Sequence, residues 1–109
     1  VLMSLHSDMP MAPGSPLLLM HAAVNRINFA NEVAGPNQRI SALEALRAVT
    51  INAAYIMGME DDYGTISTGK YANFTVLKEN SLTVDQKTIK DIAVKATIVE
   101  GRVYPINSF

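Results

Sequence analysis

The sequence has no cysteine. That excludes a disulfide scaffold, a zinc ribbon and a thiol nucleophile. Charge is also scarce. Charged residues make up 17% of the chain, and ten acids against nine bases leave a net charge of −1. Such a balance projects no long-range field, so neither nucleic acid nor an anionic membrane is an expected partner. Long apolar runs are lacking too. The run that starts at Pro16 is broken by His21, far short of the roughly 20 residues that span a bilayer. Residues 1–8 show no basic n-region and no cleavage pattern, so the cytoplasm is the expected compartment. There is no glycine-rich phosphate loop, and neither Ser7 nor Ser15 sits in a Gly-x-Ser-x-Gly elbow. Nucleotide binding and serine nucleophilic catalysis therefore have no support.

What is present is apolar. Hydrophobic residues make up 49% of 109 residues, too many for a disordered chain. The length suits one domain that buries roughly 65% of its unfolded surface. The halves differ. Residues 1–58 hold only Asp8, Glu32 and Glu44 as acids, with three arginines and no lysine. Residues 59–109 hold seven acids, five lysines and Arg102. Helices so poor in charge are buried on more than one side, so the first half is expected to need a partner surface. The apolar opening at residues 1–5, without a polar leader, reads as a beginning cut from something larger.

Local signals divide the chain further. Residues 1–7 read as a strand. Pro10, Pro13 and Gly14 follow and mark a long loop. Pro16 suits a first helical turn, and Leu17, Met20, Val24 and Ile27 give helical spacing over 17–30. Gly35-Pro36 is a stop signal. Ser41 and Glu44 form a capping box that opens a helix expected to run over 42–57. Its stripe of Leu43, Leu46, Val49 and Ala53 is expected in the core. The last fifty residues read as strands, with Glu100-Gly101 between two alternating runs as a hairpin turn.

Few residues offer chemistry. Asp8 ends the first strand ahead of a Pro/Gly-rich loop, the position of catalytic residues in an α/β barrel. Its carboxylate could bind a metal or act as general base; capping the following turn is the alternative. His6 lies on the same strand face by the period of two, as a metal ligand, a partner to one, or an ordinary hydrogen-bonding histidine. His21 reads as a packing residue. Two histidines and one aspartate cannot complete a metal site, which needs three or four protein ligands.

Read in order, the segments resemble the C-terminal portion of the amidohydrolase superfamily, in the family 3 branch that contains N-substituted formamide deformylases. Ser7-Asp8-Met9-Pro10 resembles the Ser-Asp-x-Pro that ends the eighth barrel strand. Ala23-Val24-Asn25-Arg26 resembles the Ala-Val-x-Arg of the next helix. Residues 40–54, the Gly64, Gly69-Lys70 and Asn73 pattern, and the run Ala96–Tyr104 follow in the family's order. Asn73 stands where aspartate is usual, and His6 where glycine is usual.

The resemblance implies an α/β parent: a metal-dependent (β/α)8 barrel plus a small β-sandwich built from both chain ends. Residues 1–58 would be the last strand and C-terminal helices of the barrel, and 59–109 the small antiparallel β unit. Asp8 would be a metal ligand and the catalytic base toward the nucleophilic water, with His6 in support. The cofactor implied for the parent is a divalent metal, zinc before others. The His-x-His of the first strand and the ligands of strands four to six are absent from this sequence. The isolated chain is thus expected to bind no metal and to be inactive. Its expected partner is a second copy of itself or a complementary N-terminal barrel fragment. Two functions follow: a piece of a hydrolase acting on amide-type C–N bonds, or a non-catalytic assembly module derived from one.

Overall fold

A computed structural model describes residues 2–5, 15–27 and 31–106. Within it, Ser15 and Pro16 start the first helix, α1 (Pro16–Asn25). The Ser15 hydroxyl accepts a hydrogen bond from the Leu18 N–H at 3.4 Å, and Pro16 needs no donor in the first turn. The helix stops at Asn25, short of the expected residue 30. Arg26 turns left-handed (φ 57°) while its N–H closes onto the Ala22 carbonyl. Its guanidinium then fastens the chain that follows. Nε donates to the Ala34 carbonyl at 2.8 Å and Nη2 to Gln38 Oε1 at 2.9 Å. Residues 33–38 are thus held against the end of α1, with Ile27 bridging Val33.

The capping box forms in full. Ser41 Oγ accepts from the Glu44 N–H, and Glu44 Oε1 accepts from the Ser41 N–H, each at 3.1 Å. That backbone bond holds the Glu44 carboxyl below its ordinary pKa. The helix behind it is not the single one expected. It divides into α2 (Ala42–Ala48) and α3 (Ile51–Ile56). At the break Thr50 leaves helical geometry (φ −123°, ψ −97°), and its hydroxyl donates to the Leu46 carbonyl at 2.7 Å. Val49-Thr50-Ile51 is a run of three β-branched residues, each stiff at χ1 in a helix. A threonine hydroxyl also competes for backbone acceptors.

The core is small. It comprises Met20 and Val24 of α1, Ala45 of α2, and Ile89. Ile89 belongs to a short 3₁₀ helix, Gln86–Asp91, for which no sequence signal was read. The expected stripe on α2 is corrected. Leu43 is 44% exposed, whereas Ala45 and Ala48 are fully buried. Ala45, clustered with Met20 and Val24, lets the α2 backbone approach α1 closely, and Leu46 and Val49 pack only at the margin of the core.

Three strands, β1 (Phe74–Leu77), β2 (Val94–Val99) and β3 (Arg102–Pro105), form one antiparallel sheet in that order. The register pairs Phe74 with Ile98 and Ile98 with Val103. The hairpin is the expected one. Glu100 and Gly101 both take positive φ, 49° and 82°, as a two-residue type I′ turn requires. Residues 2–5 are not in a strand, against expectation, because they join no ladder; the rest of that segment lies outside the described residues. The result is a small α/β unit. Among the described residues no helix is long and apolar enough to cross a membrane.

Asn73 gives the hairpin its seat. Its Oδ1 accepts from the Glu100 N–H at 2.8 Å, and the Gly101 N–H donates to the Ala72 carbonyl at 3.0 Å. Only an oxygen acceptor is needed, so aspartate serves as well as asparagine. Asn73→Ala should therefore lower stability by about 1–2 kcal/mol, with Asn73→Asp close to the parent chain. Denaturant titrations of both variants check this, and equal losses would refute it.

Candidate functional site

The residues singled out for chemistry, Asp8 and His6, lie outside the described residues. The remaining histidine is a packing residue. His21 Nδ1 accepts from the Lys90 N–H at 3.4 Å, which ties α1 to the 3₁₀ helix. Burial of the ring, and then the Lys90 charge, push its pKa below the ordinary 6.5, with Asp91 opposing them. Beside it the buried Asn25 does similar work. Its amide donates to the His21 carbonyl at 3.0 Å and to the Gln86 carbonyl at 2.9 Å. Arg39 Nε donates to the Asn25 carbonyl at 3.1 Å. The Ala-Val-Asn-Arg run is thus a structural joint: Asn25 holds the core together and Arg26 holds the loop behind it. Its signal in the sequence was the motif itself.

Two of the concavities among the described residues border these elements. The smaller, about 250 Å³, is bordered by Asn25, Arg39, Asp85 and Lys87. Asp85 Oδ1 there accepts from the Lys87 N–H at 3.0 Å. Arg39 and Asp85 therefore brace backbone. The larger is an open groove of about 850 Å³ between the α2–α3 pair and the sheet. Its walls include Leu46, Val49, Phe74, Leu77 and Ile98, and its lining contains no carboxylate, imidazole, ammonium or guanidinium group. Among the described residues its titratable side chains are the phenols of Tyr63 and Tyr71, and its walls offer mainly apolar contact. Tyr63 and Tyr71 stack at its end, ring centres 5.2 Å apart.

A metal centre needs several converging ligands. Among the described residues no group of three or more histidines and carboxylates is placed to hold a metal ion. One oxygen of Glu60, Oε2, is buried without a hydrogen-bond partner, but a single carboxylate does not make a coordination site. The described residues therefore do not fit a metal cofactor.

Comparison with known proteins gives a consistent picture. A profile described as "Amidohydrolase family" matches residues 1–105. The N-substituted formamide deformylase of Arthrobacter pascens is 36% identical over 101 residues, which cover 93% of this chain and 19% of that protein. Protein LONG AFTER FAR-RED 3 of Arabidopsis thaliana is 39% identical over 106 residues, 95% of this chain and 18% of that protein. An amidohydrolase of Thermotoga maritima shares the fold, with a TM-score of 0.66 at 21% identity over 97% of this chain and 24% of that one. The chain spans about a fifth of the length of the curated relatives it matches.

Proposed function

Because the chain belongs to the amidohydrolase family, we propose that it is the C-terminal piece of a metal-dependent hydrolase acting on amide-type C–N bonds, inactive until the rest of the barrel joins it. The observation that carries this reading is coverage. Similarity runs along nearly all of this chain yet meets only about a fifth of each full-length relative. The Arthrobacter relative, by its name, removes a formyl group from an N-substituted formamide, which supports an amide-type bond as the target. Asp8 is the one residue in this chain to which a ligand or proton-accepting role is assigned, and its partners must come from another segment. Zinc is the metal of choice for such a site. No catalytic step is assigned to the isolated chain.

The test is metal analysis and turnover. The purified chain alone should hold far less than one zinc per molecule and hydrolyse no N-substituted formamide. Mixed with a fragment supplying the first seven barrel strands of a family member, it should gain both metal and turnover, and Asp8→Ala should abolish the turnover. A tightly held, stoichiometric zinc in the chain alone would overturn the proposal.

A second reading has one observation in its favour. The walls of the larger groove are mainly apolar, which suits a non-catalytic assembly module.

A further inference from the structure

Three contacts of different kinds hold the 3₁₀ helix Gln86–Asp91 to α1. Ile89 has no exposed surface and fills the core beside Met20 and Val24. At one end of the segment the Gln86 carbonyl accepts from the Asn25 amide at 2.9 Å. At the other end the Lys90 N–H donates to His21 Nδ1 at 3.4 Å. The first two contacts are indifferent to pH, since neither an alkyl side chain nor an amide titrates. The third is not. An imidazole accepts at Nδ1 only while it is neutral, with its proton on Nε2; the cation donates from both nitrogens and accepts at neither.

The charges around the ring act in the same direction. α1 carries no charged residue of its own. α2, packed on α1, brings Arg47 and Glu44, whose carboxylate is engaged in the capping box. The 3₁₀ helix brings Lys87, Lys90 and Asp91. Of these, Lys90 acts against the ring's cation and Asp91 in its favour. Burial and Lys90 together outweigh Asp91, which places the ring's pKa below 6.5. A protonated His21 would point one donor at another, the Lys90 N–H, with the Lys90 charge near enough to repel it.

We propose that His21 is an acid-sensitive latch on the Gln86–Asp91 segment, closed while the ring is neutral and opened by its protonation. Asn25 then remains as the polar tie between the segment and α1. The sign follows from linkage. The unfolded chain takes up this proton near pH 6.5, and the latched fold resists it until a lower pH. The latch is therefore fully closed above 6.5 and is lost as pH falls from there through the folded ring's value. Ile89 is the residue before Lys90, so opening at this end loosens the segment that closes the core. The proposal does not depend on the hydrolase reading: both partners lie in this chain, and the readout needs neither metal nor substrate.

Nuclear magnetic resonance of the isotope-labelled chain decides it, with the His21 ring and the Lys90 amide followed from about pH 8 to pH 5. The ring should titrate below 6.5, and the Lys90 amide signal should move with the same midpoint. Protection of that amide from hydrogen exchange, corrected for the intrinsic rate, should fall about two- to tenfold, as expected for one lost hydrogen bond. His21→Asn replaces Nδ1 by an amide oxygen that does not titrate, so the Lys90 amide should lose its midpoint and keep its protection to within about twofold. The ring signal of His6 separates its titration from that of His21. A Lys90 amide unprotected even at the upper pH, one indifferent to the ring, or one that titrates equally in His21→Asn would overturn the proposal.

Discussion

Ile89→Ala should cost about 2–5 kcal/mol, the range for truncating a large aliphatic side chain in a closed core. Ile89 has no exposed surface and packs in the cluster of Met20, Val24 and Ala45. A cavity there cannot be filled cheaply. The 3₁₀ helix that carries Ile89 is already tied to α1 through Asn25 and His21, so it cannot slide inward. A domain of this size has only about 5–15 kcal/mol in total, and each kcal/mol lost lowers the midpoint by roughly 4–8 °C. Thermal unfolding followed by circular dichroism should show a fall of about 8 °C or more. Leu43→Ala is the control. At 44% exposure it should cost less than about 1 kcal/mol. If Leu43 proved the costlier residue, the assignment of the core would be wrong.

Gly64→Ala should be nearly as damaging, for a different reason. Gly64 has φ +105°, and a Cβ there would lie 2.9 Å from the Ile51 Cα and 3.0 Å from the Ala54 Cβ. The first neighbour is backbone and cannot rotate away, so α3 itself would have to shift. Overpacking of that kind, added to a disfavoured backbone conformation, amounts to about 2–4 kcal/mol. Gly58 separates the two contributions. Its φ is +74°, but a Cβ would meet nothing within 4 Å. Gly58→Ala should therefore show the conformational part alone, about 1 kcal/mol. Equal losses at the two glycines in urea titrations would mean that the close approach of residue 64 to α3 carries no weight.

Much of the local structure was legible because its causes are local. The Ser41–Glu44 box and the Glu100-Gly101 turn each depend on a few adjacent residues, and both form as read. β1 likewise falls in the last fifty residues, which read as strands. The misreadings have a common origin in tertiary contact. Periodicity marks leucine as core, yet helices that touch closely favour alanine at the contact, and Ala45 displaced Leu43 there. The division of the expected helix had a signal, the β-branched run Val49-Thr50-Ile51, outweighed by the alanines around it. The Gln86–Asp91 helix had almost none. Ile89 stands alone among Lys87, Thr88, Lys90 and Asp91, and only the distant α1 makes that single side chain a core residue. The reading of Asp8 rests on its place at a strand end before a Pro/Gly-rich loop and on the family motif, that of His6 on the strand period of two, and both residues lie outside those described.

The bonds from Asn25 to Gln86 and from Lys90 to His21 span 61 and 69 residues. In time, that separation is a delay. A ribosome adding about 5–20 residues per second needs roughly 3–14 s to carry synthesis from α1 to the segment that completes its core. Throughout that interval the apolar face of Met20 and Val24 has α2, through Ala45, but lacks Ile89. Nascent α1 is therefore a target for chaperones during translation, and synthesis that halts before residue 86 leaves it without the segment against which it folds.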